Sequence, residues 1–371
     1  MTIQAKILKI NRKNKPHSLG IPCLEDFDYE EEKWIDINLI IHQPNINLYC
    51  LDFSEKLAIF VETNPGIDLY QFPFFYQAQY NHAQRLIVIT FDDLSKIAQE
   101  REKPQKLILI YSVGRCGSTL LNSVFNQLEN TVSFSEPGVY DQLVIMRQWD
   151  GSNDGQISQL VENCTKLFCK SGQTSTQVIK FRSYGIEIAD LILQNFPEAK
   201  IIFLYRDIES WMDSAFRASL GKIPEQIDSL LEMDKEASQI SPLIANYRKD
   251  KPLSYVKILT LLWLSVMERY LLLEKQFPSS IAIRFEDLKA DSQQTVLEIL
   301  KYCDIPTNNL SQVFEVLQKD SQADTVLSKM NLREQQVELT TKDINEIRET
   351  LKESLIILTS DFIVPNTLFL K

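Results

Sequence analysis

Glycine is scarce in this chain, ten residues in 371, where ordinary usage near 7% would supply about twenty-six. Glycines that cluster beside hydroxyls and a guanidinium therefore carry information. Gly114-Arg115-Cys116-Gly117-Ser118-Thr119-Leu120 follows an apolar run and opens a helical pattern. Bare backbone N–H groups at a helix N-terminus close around an anion, and Arg115, Ser118 and Thr119 add donors to the same place. The chemistry such a segment suits is the binding of a phosphate. The alternative is an ordinary strand–turn–helix junction with Ser118 as N-cap. A nucleoside-triphosphate loop, G-x-x-x-x-G-K-[ST], needs a lysine after its last glycine and a further glycine five places earlier, where Ser118 and Ser112 stand here. Without that lysine and a magnesium site, γ-phosphoryl transfer lacks its main charge stabilisers, so a kinase or NTPase with a degenerate loop is the weaker reading.

Two further segments belong with this loop. Ile201–Phe216 (IIFLYRDIESWMDSAF) is an apolar run followed by Arg206-Asp207, with Ser214 eight residues after the arginine, and Ile281–Leu288 (IAIRFEDL) is a short apolar run ending in Phe285-Glu-Asp-Leu. Together with Ser112–Leu121 they resemble the sulfotransferase family, which takes a sulfuryl group from 3′-phosphoadenosine 5′-phosphosulfate (PAPS) and releases adenosine 3′,5′-bisphosphate. The resemblance spans roughly residues 107–306. It implies that Arg115, Cys116, Gly117, Ser118, Thr119 and Leu120 hold the 5′-phosphosulfate, that Arg206 and Ser214 hold the 3′-phosphate, and that Phe285 packs near the adenine. The family usually has serine where Cys116 stands. Physically, Arg206 at a strand's carboxyl end can fork onto phosphate oxygens, and Ser214, about two turns into the next helix, offers a second donor. Surface ion pairing with Asp207 or Glu209 is the other account of Arg206, and a core position is the other account of Phe285.

A hydroxyl acceptor is a poor nucleophile without a proton acceptor in reach. The three histidines, His17, His42 and His82, all precede the loop, so the histidine base of many cytosolic sulfotransferases has no counterpart in this part of the chain. Glu136, in Phe134-Ser-Glu-Pro-Gly138, resembles instead the glutamate base of carbohydrate and protein-tyrosine sulfotransferases. A carboxylate satisfied by turn amides is the alternative. Lys180, in Val178-Ile-Lys-Phe-Arg182, resembles the family lysine that steadies the leaving phosphate, with Arg182 assisting, although strand-end lysines are also commonly just solvated. Cys116 has no histidine near it in sequence and is taken as a loop residue rather than a nucleophile. Asp320–Leu332 resembles the segment that closes over the cofactor, with Lys329 or Arg333 near the 3′-phosphate, and an exposed linker explains it equally well.

The elements that must position these groups alternate from Lys106 onward: LILIYS (107–112), a helix to about Glu129, TVSFS (131–135), QVIKF and KIIFLY, each followed by an amphipathic helix. This pattern predicts an α/β, P-loop-like parallel sheet with helices on both faces, over residues 105–371. Helices near Glu225–Tyr247 and Tyr255–Phe277 form an insertion before the strand-like Ile281–Phe285. Residues 1–104 read as a small β-rich accessory region of unknown role. Strands are expected at Trp34–Ile41, Leu57–Glu62 and Leu86–Thr90, a helix with a packing face over Phe72–Arg85, and a solvated loop over the acidic Glu25–Glu32.

Whole-chain quantities narrow the function. Lysine and arginine number 39 against 50 acids, a net charge of −11, so a broad hold on nucleic acid is not expected and any anion must be bound locally. The apolar run Ile258–Met267 is ten residues long, about 15 Å as a helix against a bilayer core of about 30 Å, too short for a transmembrane segment. No signal-peptide pattern follows the basic start, and the expected location is cytoplasmic. Cys23, Cys50, Cys116, Cys164, Cys169 and Cys303 lack paired spacing and are read as reduced thiols, with no metal site. The acceptor is a hydroxyl compound of unassigned class. A non-catalytic nucleotide-binding scaffold is the rival outside enzymes.

Overall fold

The structure, a computed structural model, describes residues 4–168, 175–219, 226–247, 252–277, 279–308, 310–333, 338–353 and 362–369. Its elements open with β1 (Gln4–Lys13), β2 (Phe27–Asp36), α1 (Asn38–His42), β3 (Ile46–Asp52), β4 (Leu57–Glu62), α2 (Phe75–His82), β5 (Arg85–Thr90) and α3 (Phe91–Gln99). There follow β6 (Lys106–Ser112), α4 (Ser118–Phe125), β7 (Thr131–Ser135), α5 (Val139–Met146), α6 (Asp154–Phe168), β8 (Thr176–Lys180), α7 (Ala189–Asn195), β9 (Lys200–Tyr205) and α8 (Ile208–Ala218). The chain ends with α9 (Ile227–Ile240), α10 (Pro242–Asn246), α11 (Tyr255–Gln276), β10 (Ile281–Arg284), α12 (Phe285–Ala290), α13 (Ser292–Tyr302), α14 (Ser311–Leu317), α15 (Lys329–Arg333) and α16 (Thr341–Lys352). The fold is α/β: an antiparallel sheet ordered β2-β1-β5-β4-β3 precedes a parallel sheet ordered β10-β9-β6-β8-β7.

Two compact units divide the chain. The first comprises Met1–Leu107, Glu129–Lys180 and Leu191–Ala199. Leu8, Phe27, Tyr49, Ile59, Val61 and Leu86 form a core in its antiparallel sheet, and Lys15 and Asp26 make a buried ion pair of 2.7 Å. In the same unit β7 and β8 run parallel with Phe134 opposite Ile179 and Ser135 opposite Lys180. Two expectations fail here. Most of the acidic stretch expected as a loop is the edge strand β2, whose middle residues are exposed. Lys6 and Lys9 of β1 pair with Glu31 and Glu30, and charges on an edge strand discourage pairing with another sheet. The expected strand Trp34–Ile41 breaks after Asp36, and α1 begins at Asn38. β1 and β3 went unforeseen; β3 is buried along six of its seven residues and so shows no polar alternation.

The second unit comprises Ile108–Leu128, Phe181–Asp190 and Lys200–Lys371. β9 lies between β6 and β10, with Ser112 opposite Leu204 and Arg284 opposite Tyr205. The carboxyl ends of these three strands therefore sit in register, which is where open parallel sheets present ligand-binding loops. The apolar run Ile258–Met267 falls inside α11, which packs against α10 and α16. Among the described residues no helix is long and apolar enough to cross a membrane.

Candidate active site

In the second unit, β6 delivers the chain into the glycine loop. Gly114, Arg115 and Gly117 all have left-handed backbones, with φ of 80°, 53° and 87°, and the non-glycine member bears a cost of about 1–2 kcal/mol. Gly117 is called for by its backbone, and a Cβ there would also lie 2.9 Å from Leu288 Cδ2, a side-chain end that would have to shift. The loop is pinned from outside: Trp211 Nε1 donates to Val113 O at 2.9 Å and Gly114 O at 3.1 Å. From inside, Gly114 N donates to Ser112 Oγ at 3.3 Å. Ser118 and Thr119 open α4, both buried, and Leu120 is half-buried. Cys116 is wholly buried and its thiol donates to Leu204 O. Its side chain thus braces β9.

Arg206 leaves β9 and meets this loop. Its Nη1 donates to Arg115 O at 3.1 Å, its Nε to Ser210 Oγ at 3.0 Å, and its guanidinium lies 4.5 Å over the Phe285 ring. Arg115 Nε reaches Ser214 Oγ at 3.4 Å, and its Nη1 donates to Gln322 Oε1 at 2.9 Å. Burial, and after it the positive charge of Arg206, pull the Arg115 guanidinium below its ordinary pKa. Arg206 is lowered by burial, partly offset by Glu286. Both stay charged, since arginine titrates far above neutrality. Two half-desolvated cations that repel one another form an arrangement that an anion stabilises. Asp207 caps α8 by accepting from Ser210 N.

Phe285 opens α12 instead of closing a strand, because β10 ends at Arg284. The late segment reaches Arg115 through Gln322, a residue for which the sequence offered no spacing signal. Trp211 stood inside the quoted motif without an assigned role, and its indole hydrogen bonds explain it. Ser210 and Arg217 likewise join the arginine cluster only in three dimensions.

In the first unit, Glu136 and Lys180 come together. β7 and β8 end side by side, Glu136 N donates to Lys180 O at 2.7 Å, and the Lys180 ammonium pairs with the Glu136 carboxylate. Their side chains are only 13% and 4% exposed. Glu136 has φ 58°. Arg182, which belongs to the second unit, donates to the Tyr184 hydroxyl. Chemically the pair offers a proton acceptor and a hydrogen-bonding cation on adjacent strand ends. Cys23, Cys50, Cys116, Cys164 and Cys303 are free thiols, and Cys169 lies outside the described residues.

A parallel sheet whose strand ends carry a glycine loop and converging arginines defines an α/β protein. Residues 105–354 match the family model described as the sulfotransferase domain. This is more than half of the chain, which therefore belongs to the sulfotransferase family. No curated protein matches it. Among solved structures the chain is similar to mouse sulfotransferase SULT7A1 complexed with PAP, at TM-score 0.42 and 14% identity over 72% of this chain and 91% of that one. It is also similar to sulfotransferase STF1 from Mycobacterium tuberculosis H37Rv, at TM-score 0.42 and 12% identity over 69% and 80%. The sulfotransferase domain from the curacin biosynthetic pathway aligns at TM-score 0.39 and 15% identity over 68% and 98%.

Proposed function

We propose that the chain transfers a sulfuryl group from PAPS to an acceptor hydroxyl, releasing adenosine 3′,5′-bisphosphate and a sulfate ester. The observation that carries this reading is the meeting of Arg115 and Arg206 beside Ser214, two repelling guanidiniums with a hydroxyl between helix and loop. Arg206 and Ser214 bind the 3′-phosphate. The amides and hydroxyls from Arg115 to Leu120 bind the 5′-phosphate, and Phe285 flanks the adenine. The acceptor oxygen attacks sulfur in line as the bond from sulfur to the phosphate oxygen breaks. Glu136 takes the acceptor's proton, and Lys180 donates a hydrogen bond to the leaving phosphate oxygen. The ion pair between these two supports the assignment, since it holds both groups in one geometry before substrate arrives. The transferase is assigned to residues 105–371, and the location to the cytoplasm.

Calorimetry with adenosine 3′,5′-bisphosphate and AMP tests the reading. A charge-assisted contact contributes about 1.5–3 kcal/mol, so the bisphosphate should bind about ten-fold or more tightly than AMP. Arg206→Ala should remove most of that preference. Equal affinities of the two nucleotides for the wild-type chain overturn the proposal.

A further inference from the structure

Two residues of the Glu136 turn look misplaced by backbone preference alone. Glu136 holds a left-handed backbone, φ 58°, where glycine is the comfortable choice, and Gly138 has φ −65° and ψ −17°, which any residue adopts. Contacts explain the second. A methyl group on Gly138 would run into the Pro22 ring, 2.6 Å from Cδ and closer still to Cγ. On the other side of Glu136, Ser135 Oγ donates to Pro73 O at 2.6 Å. One turn further on, the Gln142 amide exchanges two hydrogen bonds with the Leu51 backbone, at 2.7 and 2.8 Å. Phe134 is packed edge-on by Tyr70 and Phe75. Every one of these partners comes from the first 104 residues, and all lie in one compact unit with Glu136.

We infer that the N-terminal region is part of the transfer machinery: Pro22 and Pro73 are positioning residues that clamp the Ser135–Gly138 turn and hold Glu136 in its strained conformation, so that the carboxylate stands at a fixed place for the acceptor proton. This rests on the reading of Glu136 as base. A strained residue persists only where its surroundings over-determine it, and here the surroundings are the N-terminal segments.

A compensating pair of substitutions tests it, with sulfuryl transfer from PAPS to water followed as release of adenosine 3′,5′-bisphosphate. Gly138→Ala should lower kcat by about ten-fold to a hundred-fold, the scale on which small misplacements act. Its KM for PAPS and its affinity for adenosine 3′,5′-bisphosphate should not change. Pro22→Ala removes the clashing ring atoms, so Gly138→Ala/Pro22→Ala should recover most of the rate. In a Glu136→Gln background, Gly138→Ala should cost nothing more, because the group it misplaces is already absent. Hydrogen exchange at the Glu136 amide should quicken in Gly138→Ala and slow again in the double variant. Should Gly138→Ala fail to fold, Ser135→Ala gives the same test, lowering kcat a few-fold with PAPS KM intact. Full additivity of Gly138→Ala on Glu136→Gln, or no recovery by Pro22→Ala, overturns the clamp. A Glu136→Gln chain with unchanged rate overturns the base assignment instead, so the two failures are distinct.

Discussion

Glu136 shows what a single residue does when backbone comfort and chemistry disagree. A glutamate at φ 58° costs about 1–3 kcal/mol relative to a relaxed position, and what it yields is a carboxylate fixed against Lys180. Glu136→Gln keeps the size and most hydrogen bonding of the side chain but cannot accept a proton. Turnover at saturating PAPS should fall by about 10² to 10⁴, while calorimetric affinity for adenosine 3′,5′-bisphosphate stays near wild type. A near-normal rate would show the carboxylate to be structural. Cys116 gives the opposite case at the same scale. Its thiol is buried against Leu204 O, so Cys116→Ser, which keeps a small hydrogen-bond donor, should retain transfer, and thiol alkylation of the native protein should not inhibit. Inhibition by alkylation specifically at Cys116 would reopen a role for the thiol.

At the scale of elements, the glycine loop is legible in sequence because all its determinants are local: an apolar strand before it, glycines within it and a helix start after it. Its depth is not local. Gly117 faces Leu288, on α12 far along the chain, so Gly117→Ala meets both a left-handed backbone and a close neighbour. That substitution should destabilise the fold by about 1–3 kcal/mol and weaken adenosine 3′,5′-bisphosphate binding, both measurable by thermal unfolding with and without the nucleotide. Leu288→Ala should rescue only part of the loss, since it relieves the contact and leaves the backbone strain. The same contrast explains the misread elements. β2 looked like a loop because its composition is acidic, whereas its strand state comes from backbone pairing with β1, reinforced by Lys6 and Lys9.

For the molecule as a whole, the charge of −11 and the concentrated arginines act in opposite senses: a net negative chain repels polyanions, and in the proposed reading the arginine cluster binds a compact one. Binding there stabilises the folded chain by mass action, so adenosine 3′,5′-bisphosphate at about a hundred times its Kd should add about 2.7 kcal/mol to unfolding stability. Arg206→Ala should lose most of that increment at the same concentration. Because guanidiniums and amides carry the charge compensation in this reading, transfer should continue in excess chelator. Among the described residues no group of histidines, cysteines and carboxylates is placed to hold a metal. Loss of transfer on chelation with rescue by magnesium would favour a phosphoryl-transfer enzyme instead.

The alternation of apolar runs and helical patterns determined the parallel α/β architecture from sequence alone, and the spacing of Arg206 to Ser214 together with the glycine loop pointed to the family. Those features are short-range, so residue type and spacing suffice to read them. Tertiary structure alone decided that Gln322 meets Arg115, that Phe285 lies beneath Arg206, and that Pro22 rests on Gly138. Each of these contacts joins segments far apart in the chain, and its partners carry no mark of the pairing. Proline and glutamine are unremarkable where they stand, and only the closing of the fold brings them against the groups they position.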